Sequence, residues 1–547
     1  MLLTLLVFCP LLGAALAAWF GLTGRMALVK RGSILFSLVP LGLSCALWAE
    51  HLQGPAIGIT TGEIDVPWIP ILNSHYHMGV DGISLILVVL TTLLTTLALI
   101  FAQRLSDTEA SDRTWQFYAM FFLLEVGMIG VFVSLDLVLF FLFWEVSLIP
   151  MYFIILLWGG PQREGAALKF ILYTLVGSAG ILVAFAALYL KTQTTDMVTM
   201  IAHAQHAPIL TGALGAWVFW LLWIGFAIKV PVFPFHTWLP LAHVEAPTEG
   251  SVILAAILLK MGVYGMIRIC LQIMPQQFHA FSAVVAWLGA FSVIYGALCA
   301  MAQTDLKKLV AYSSINHMGF CTLAVAAAAA MTPTNAAQFA ELAQKAHAMG
   351  LSPAAFLGFR ATALDGAVIE MVAHGLITGA MFFLVGVIYE RAHHRDLRRF
   401  GGLWTAVPLY GGVMLYCTLA SLGLPLLIGF VGEFLAFIGS YPIFQGAAIF
   451  SCFGLILAAC YWLWMLQRLL YGPLNPQYAN LPDMNGREKL AIYPLMGFIL
   501  VLGLVPRLIL DMINTASLNL FGAAGVTMVG APAFHFIAMH ASRLPHI

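Results

Sequence analysis

Runs of about twenty apolar residues recur along the chain from Leu2 to Leu510, almost free of charge. A helix crossing a hydrocarbon core of about 30 Å needs about twenty such residues. Backbone in lipid must also satisfy its own hydrogen bonds, which leaves helices as the economical solution for runs of this length. The sequence therefore predicts an all-α, polytopic membrane protein with about 14 transmembrane helices. The expected spans are 2–20, 33–50, 78–101, 114–133, 136–157, 167–190 and 211–243, then 249–272, 279–301, 307–330, 368–390, 408–440, 447–470 and 489–510. The apolar start at Leu2, with no basic leader before it, is read as a first span rather than a cleaved signal.

Loop charge tests this assignment, because Lys and Arg concentrate in cytoplasmic loops. One alternate set of loops holds Arg25, Lys30, Arg31, Arg104, Arg113, Arg163, Lys169, Lys307, Lys308, Arg391, Arg395, Arg398, Arg399, Arg468, Arg487 and Lys489. The other set holds only Lys191, Lys345, Arg360, Arg507 and Arg543. A miscounted span would scramble that bias, so both termini are expected on the outer, periplasmic side of a bacterial inner membrane. With 9% charged residues and zero net charge, the chain offers no footprint for nucleic acid. The eight cysteines are scattered without a CxxC pair, and no P-loop or GxGxxG follows a strand.

Two of the spans are expected to be broken. The stretch 211–243 would make roughly 50 Å of helix, too long for a plain crossing. It contains Pro231 and Pro234 just after Lys229, and each proline lacks the N–H that continues a helix. The break is expected to leave the carbonyls of Ala227 and Val230 free beside the lysine. The second break is SLGLPLLIGFVGEF, where Pro425 lies between Gly423 and Gly429 and Glu433 follows. Paired interruptions in two halves of a chain point to inverted repeats. Two inverted five-helix repeats are expected, pairing spans four to eight with nine to thirteen. The domains are read as 1–113, three N-terminal helices; 114–273, the first repeat; 274–471, the second repeat with an outer loop at 331–366; and 472–547, the last span and tail.

Ionisable groups inside a membrane are costly and therefore mark ion or proton paths. Glu145 lies within span five, and its natural partner is Lys229, each favouring the charged form of the other. The bland alternative is a static ion pair that fixes helix packing. Lys260 sits mid-span in SVILAAILLKMGVYG, too deep for a simple snorkelling lysine. His317 follows the polar string YSSIN, and Glu433 lies beyond the second break; both are relay candidates against a structural reading. His374 is balanced between relay and packing. Glu125, Asp136, His236 and His243 are weaker candidates, with His236 and His243 placed towards proton uptake. The pairs His75/His77, His203/His206 and His393/His394 lack a third ligand in register, so no metal is expected there.

These motifs resemble the antiporter-like, proton-pumping subunits of respiratory complex I (NADH:quinone oxidoreductase), most closely the M type. The resemblance runs from about Phe121 to Tyr471 and includes LFFLFWEVSLIPMYFIILLWGG, HTWLPLAHVEAPTEGSVILAAILLKMGVYGMIR, DLKKLVAYSSINHMGF, HGLITGAMFFLVGVIYER and GFVGEFL. It implies a proton channel built from Glu145, Lys229, Lys260 and Glu433, with His317 and His374 between the halves. It also implies L-type and N-type partner chains and a lipid bilayer around them. FMN, iron–sulfur clusters and quinone are expected in partner subunits, with no cofactor and no metal in this chain. Related chains serve multi-subunit cation/proton antiporters and membrane-bound hydrogenases, which remain the alternative. Leu241 stands where the family usually carries Asp, and the 331–366 stretch is longer than usual.

Overall fold

The computed structural model describes residues 1–53, 61–103 and 113–521; Arg104, Arg543 and the end of the expected tail lie outside them. The first half runs α1 (Leu2–Leu22), α2 (Met26–Gln53), β1 (Thr61–Ile69), β2 (Ser74–Val80), α3 (Gly82–Phe101), α4 (Thr114–Val133), α5 (Leu137–Trp158) and α6 (Arg163–Thr192). It continues through α7 (Met197–His206), α8 (Gly212–Lys229) and α9 (Leu239–Glu245) to α10 (Thr248–Leu271). The second half holds α11 (Pro275–Met301), α12 (Leu306–Ala330), α13 (Ala336–Ala348), α14 (Pro353–Ala392), α15 (Pro408–Ser421), α16 (Ile428–Ser440), α17 (Gln445–Leu469), α18 (Gly486–Leu504) and α19 (Arg507–Leu520).

Among the described residues, twelve helices are long and apolar enough to cross a membrane, and α18 with α19, bent by 69°, is a thirteenth candidate. The short helices α15 and α16 occupy the stretch where the second broken span is expected. An all-α polytopic membrane protein is thus what the chain forms. Its helices divide by surroundings. On α2, α6 and α17, Leu35, Val176, Val183, Phe453 and Ile456 point outward and are exposed. By contrast α10, α12 and α14 are enclosed by protein almost throughout. Those three carry Lys260, His317 and His374, so none of these side chains has to meet lipid.

Close packing of α14 on α16 depends on small residues. A Cβ on Gly366 would lie 2.2 Å from Ala436 N, and one on Gly439 would lie 2.3 Å from Ala363 N. Neither glycine has room for a side chain, which lets the two backbones meet, as small residues do between membrane helices.

Three local features depart from the expectations. Residues 74–80 are a strand and not the start of span three. The helix begins at Gly82 because Asp81 caps it, accepting from Ile83 N and Ser84 N at 3.0 and 2.9 Å. The 331–366 stretch, expected as a partly helical outer loop, does hold the helix α13, but the helix expected from 368 already starts at Pro353 and runs for 40 residues. The last span ends at Leu504, and the chain turns into a second helix, α19.

The β1–β2 hairpin is tied down by His77, whose Nδ1 lies 2.6 Å from Asp196 and Nε2 2.9 Å from Glu63. Burial disfavours its charged form, but the two carboxylates outweigh that and take its pKa from 6.5 up to about 9. A raised histidine value means the stabilisation is complete below pH 6.5 and disappears as pH rises through about 9. Amide exchange of residues 61–80 should therefore accelerate between pH 7 and 10 beyond its intrinsic pH dependence. His77→Gln should abolish that extra acceleration, and an identical profile in both proteins would remove His77 as its cause.

A backbone exchange occurs twice, at opposite ends of the bundle. Leu137 N–H donates to Thr195 O at 2.9 Å and Met197 N–H to Leu135 O at 2.8 Å. Leu306 N–H likewise donates to Arg395 O at 2.9 Å and Leu397 N–H to Thr304 O at 2.8 Å. In each case an Asp, Asp136 or Asp305, caps the helix that follows. The preceding helix of the partner strand also ends on a left-handed residue, Gln193 with φ 58° or His393 with φ 56°. The second exchange lies with Arg395, which reaches Val244 O, and Lys307, which reaches Ala246 O. Gly160 N also bonds Glu245 O. These contacts join loops that the charge bias assigns to one side.

Candidate functional site

The first break begins at Lys229, the last residue of α8. Beyond it the two prolines offer no N–H, and other donors replace them. Val232 N–H bonds Ala227 O at 2.8 Å, and the Trp238 indole donates to Ile228 O at 2.8 Å. The Ala227 carbonyl expected to be free is therefore occupied. Phe233 N–H is taken by Ser292 Oγ of α11 at 3.0 Å, which anchors the break to the second half.

Lys229 is buried, and its Nζ makes no hydrogen bond. It lies over the Trp144 indole, 5.2 Å from the ring centroid, a cation–π position. Ser178 Oγ accepts the indole N–H at 3.1 Å, and Phe140 and Phe226 flank the ring at 5.8 and 5.6 Å. Glu145, next to Trp144 on α5, acts on the lysine electrostatically, yet its Oε1 has no hydrogen-bond partner either. The pair expected from sequence makes no direct hydrogen bond or ion pair here.

Lys260 lies on α10 between two wide π-type turns, Leu254–Leu258 and Met266–Leu271. Such turns leave carbonyls less tightly committed than an α-turn does and recur at functional positions. Here Lys260 Nζ donates to Ala255 O at 2.6 Å and meets His374 Nδ1 at 2.5 Å. His374 Nε2 has no partner, and its ring centroid is 5.6 Å from that of His317. His317 Nδ1 lies 3.1 Å from Glu433 Oε1 and 3.2 Å from Glu370 Oε1, and its Nε2 lies 3.2 Å from Ser421 Oγ. Ser421 ends α15 and Glu433 sits on α16, so both sides of the second break hold one imidazole.

The fold thus gathers Lys260, His374, His317 and Glu433 into one buried row and sets Glu145 and Lys229 beside the first break. It adds Glu370, buried on α14, which is not among the candidates the sequence offers. Hydropathy places the start of span eleven at residue 368, with Glu370 at a helix end. In the 40-residue α14 it is mid-helix, four residues before His374 and on the same face. That spacing was the available signal.

The weaker candidates separate by their partners. Asp136 is a saturated cap: it accepts from Val138 N and Leu139 N, Ser74 Oγ, His75 N and Thr195 Oγ1. His236 stacks on Phe233 and meets Tyr295 edge-on. His243 stacks on Phe382 at 4.6 Å with neither ring nitrogen bonded. Glu125 is fully buried with both oxygens unpartnered and stands apart from the row. His75 meets Asp65, His77 meets Asp196 and Glu63, and His394 stacks on Phe400. His203, His206 and His393 are exposed.

Among the described residues, His317, Glu370 and Glu433 can bring three ligand atoms within 4.8 Å of one another. Their 3.1–3.2 Å contacts are hydrogen-bond distances, so the imidazole N–H can be shared by the two carboxylates. The arrangement as a whole has ammonium, imidazole and carboxylate groups in sequence, each able to hold or release a proton.

Residues 134–342 and 347–458 match the family model described as NADH:quinone oxidoreductase/Mrp antiporter, TM. The chain is 38% identical over 539 residues to NADH-quinone oxidoreductase subunit M of Rhodobacter capsulatus, covering 95% of this chain and 96% of that one. It is 37% identical over 538 residues to the subunit M of Escherichia coli K12, covering 95% and 97%. Among solved structures, a chain of respiratory complex I from Thermus thermophilus with bound NADH superposes with a TM-score of 0.79 at 27% identity, covering 96% of this chain and all of that one. A chain of the Mrp complex from Dietzia shares the fold, with a TM-score of 0.77 at 19% identity, covering 95% and 98%.

Proposed function

The chain belongs to the NADH:quinone oxidoreductase/Mrp antiporter transmembrane family, and from that membership we propose that it is the M-type proton-translocating subunit of a complex I assembly. Electron transfer from NADH to quinone occurs in partner subunits, which hold FMN, iron–sulfur clusters and quinone; this chain supplies the proton path. L-type and N-type antiporter-like chains are its neighbours in a bacterial inner membrane, and both termini face the periplasm. The loop charge bias supports that orientation, and the bacterial subunit M relatives support the assembly.

The observation that carries the reading is the buried row from Lys260 through His374 and His317 to Glu433, with a helix break at each end of the path. Lys229 at the first break binds a proton when Glu145 draws near and releases it when the two separate. Lys260 receives the proton and passes it to His374 Nδ1. The 5.6 Å between the imidazoles requires a bridging water or a ring turn before His317 is loaded. Glu433 takes the Nδ1 proton of the protonated His317 towards the outside, and the proton arriving from His374 restores the imidazolium. The repeated backbone exchange at Asp136 and Asp305, at opposite ends of the bundle, supports two inverted repeats, 114–273 and 274–471.

The test is NADH-driven proton uptake by the intact assembly in liposomes. Lys229→Ala is expected to lower uptake several-fold while NADH-reducible assembly is retained; full uptake in the variant would reject the path. The second reading, a cation/proton antiporter subunit, rests on the shared family model and fold. It predicts proton exchange driven by sodium or potassium with no response to NADH.

A further inference from the structure

Glu370 is the one carboxylate in the row that the proposed path does not use, and its placement is specific. Its Oε1 shares the His317 Nδ1 proton with Glu433 Oε1, at 3.2 and 3.1 Å. Its Oε2 is buried without a partner. A Cβ on Gly432 would lie 2.6 Å from that oxygen and 2.8 Å from the Glu370 backbone. Gly432 therefore lets the α16 backbone close over Glu370 and brings its own neighbour, Glu433, to the same imidazole. Two carboxylates from two helices converge on one nitrogen.

Charge decides what such a pairing does. With Lys260 and His317 protonated, His374 neutral and both glutamates ionised, the five groups sum to zero. If Lys260 then gives up its proton through His374, and one glutamate accepts a proton across His317, the sum is again zero. No net charge is created in a site enclosed by protein, where an unpaired ion is costly. Without the Glu370 carboxylate, both states would carry an uncompensated positive charge.

We propose that Glu370 is a positioning and charge-balancing carboxylate of the proton row, keeping Lys260 and His317 able to hold a proton while Glu433 exchanges one. The proposal rests on the proton-path reading above. The groups that face Glu370 are His317 and Cys321 from α12, Glu433 from α16, Lys260 from α10 and His374 on its own helix. Tyr461 of α17 stands behind Glu433. Of these, only Glu433 duplicates the negative charge.

The experiment is the pH profile of NADH-driven proton uptake by the reconstituted assembly, with quinone reduction recorded in parallel. An opposite charge at this distance favours a protonated base by about one to three pH units. Glu370→Gln, close in shape but neutral, should therefore move the alkaline limb of the profile down by about one unit or more. A merely structural side chain would lower the amplitude and leave that limb in place, which would overturn the proposal. If Glu370→Gln does not assemble, Glu370→Asp keeps the charge but withdraws it from His317, and a smaller shift in the same direction is expected. A wild-type limb in that variant would equally overturn it. Glu433→Gln and Lys229→Ala, run alongside, separate the two readings. Uptake lost in those two with the Glu370→Gln limb unmoved rejects the role of Glu370 alone, whereas full uptake in all three rejects the path with it.

Discussion

Lys260→Met is expected to reduce NADH-driven proton uptake by roughly tenfold or more, the scale at which losing a positioned proton carrier is felt. Methionine fills nearly the same volume, and α10 is enclosed by protein, so the substitution leaves the helix packed. Removing the ammonium alone leaves one glutamate charge of the cluster uncompensated, so a lowered thermal midpoint is expected beside the lost uptake. What is lost is the bonded contact to His374 Nδ1 at 2.5 Å, the join between the middle of the protein and the His317 cluster. Lys260→Arg sharpens the result. A guanidinium keeps the positive charge but does not release its proton in proteins. If charge alone mattered, arginine would restore uptake; if proton release matters, arginine should be as inactive as methionine. Uptake near wild type in Lys260→Met would remove Lys260 from the path.

The second large effect concerns stability. Arg391, at the end of α14, grips the start of α18 through a bidentate pair with Glu488 at 3.0 and 2.9 Å. It also donates to Pro482 O, Asp483 O and Val387 O. The Glu488 side chain is fully buried. Arg391→Ala strands that carboxylate and unbinds the connection before α18. Breaking a buried pair by removing one partner costs about 3–5 kcal/mol, and the lower figure is expected here. Arg487, 3.7 Å from the same carboxylate, takes up part of the charge. Thermal denaturation should show a clearly lowered midpoint, partly restored by adding Glu488→Gln, since the second change removes the stranded charge. Equal midpoints for wild type and Arg391→Ala would show that the pair holds nothing together.

Much of this was legible along the chain because its causes are local. A run of apolar residues longer than the bilayer requires, interrupted by prolines, has to break wherever it ends up, and α8 stops at Lys229 as Pro231 dictates. Buried charge in an apolar run needs partners, which singled out Lys260, His317 and Glu433 before any contact was known. The hairpin was hidden for an equally physical reason. Residues 61–80 form two short strands, and their position is secured by His77 meeting Asp196, 119 residues away. Glu370 was hidden because the end of α14 is set by Ser352, which caps it, and not by the hydropathy that marked residue 368.

The sequence by itself determined the class of the protein, the position of both helix breaks and four of the five titratable groups of its buried row, Lys260, His317, His374 and Glu433. Each of these follows from a single stretch of chain meeting lipid or lacking an N–H. Only the tertiary structure decided which of those groups touch. Lys260 and His374 are 114 residues apart, and His317 joins carboxylates from two different helices. Glu145 and Lys229 look the more obvious pair, yet they stand apart with an indole under the ammonium. Contacts of this kind depend on glycines such as Gly366, Gly432 and Gly439 letting whole helices approach, and hydropathy along one helix carries no record of its neighbour.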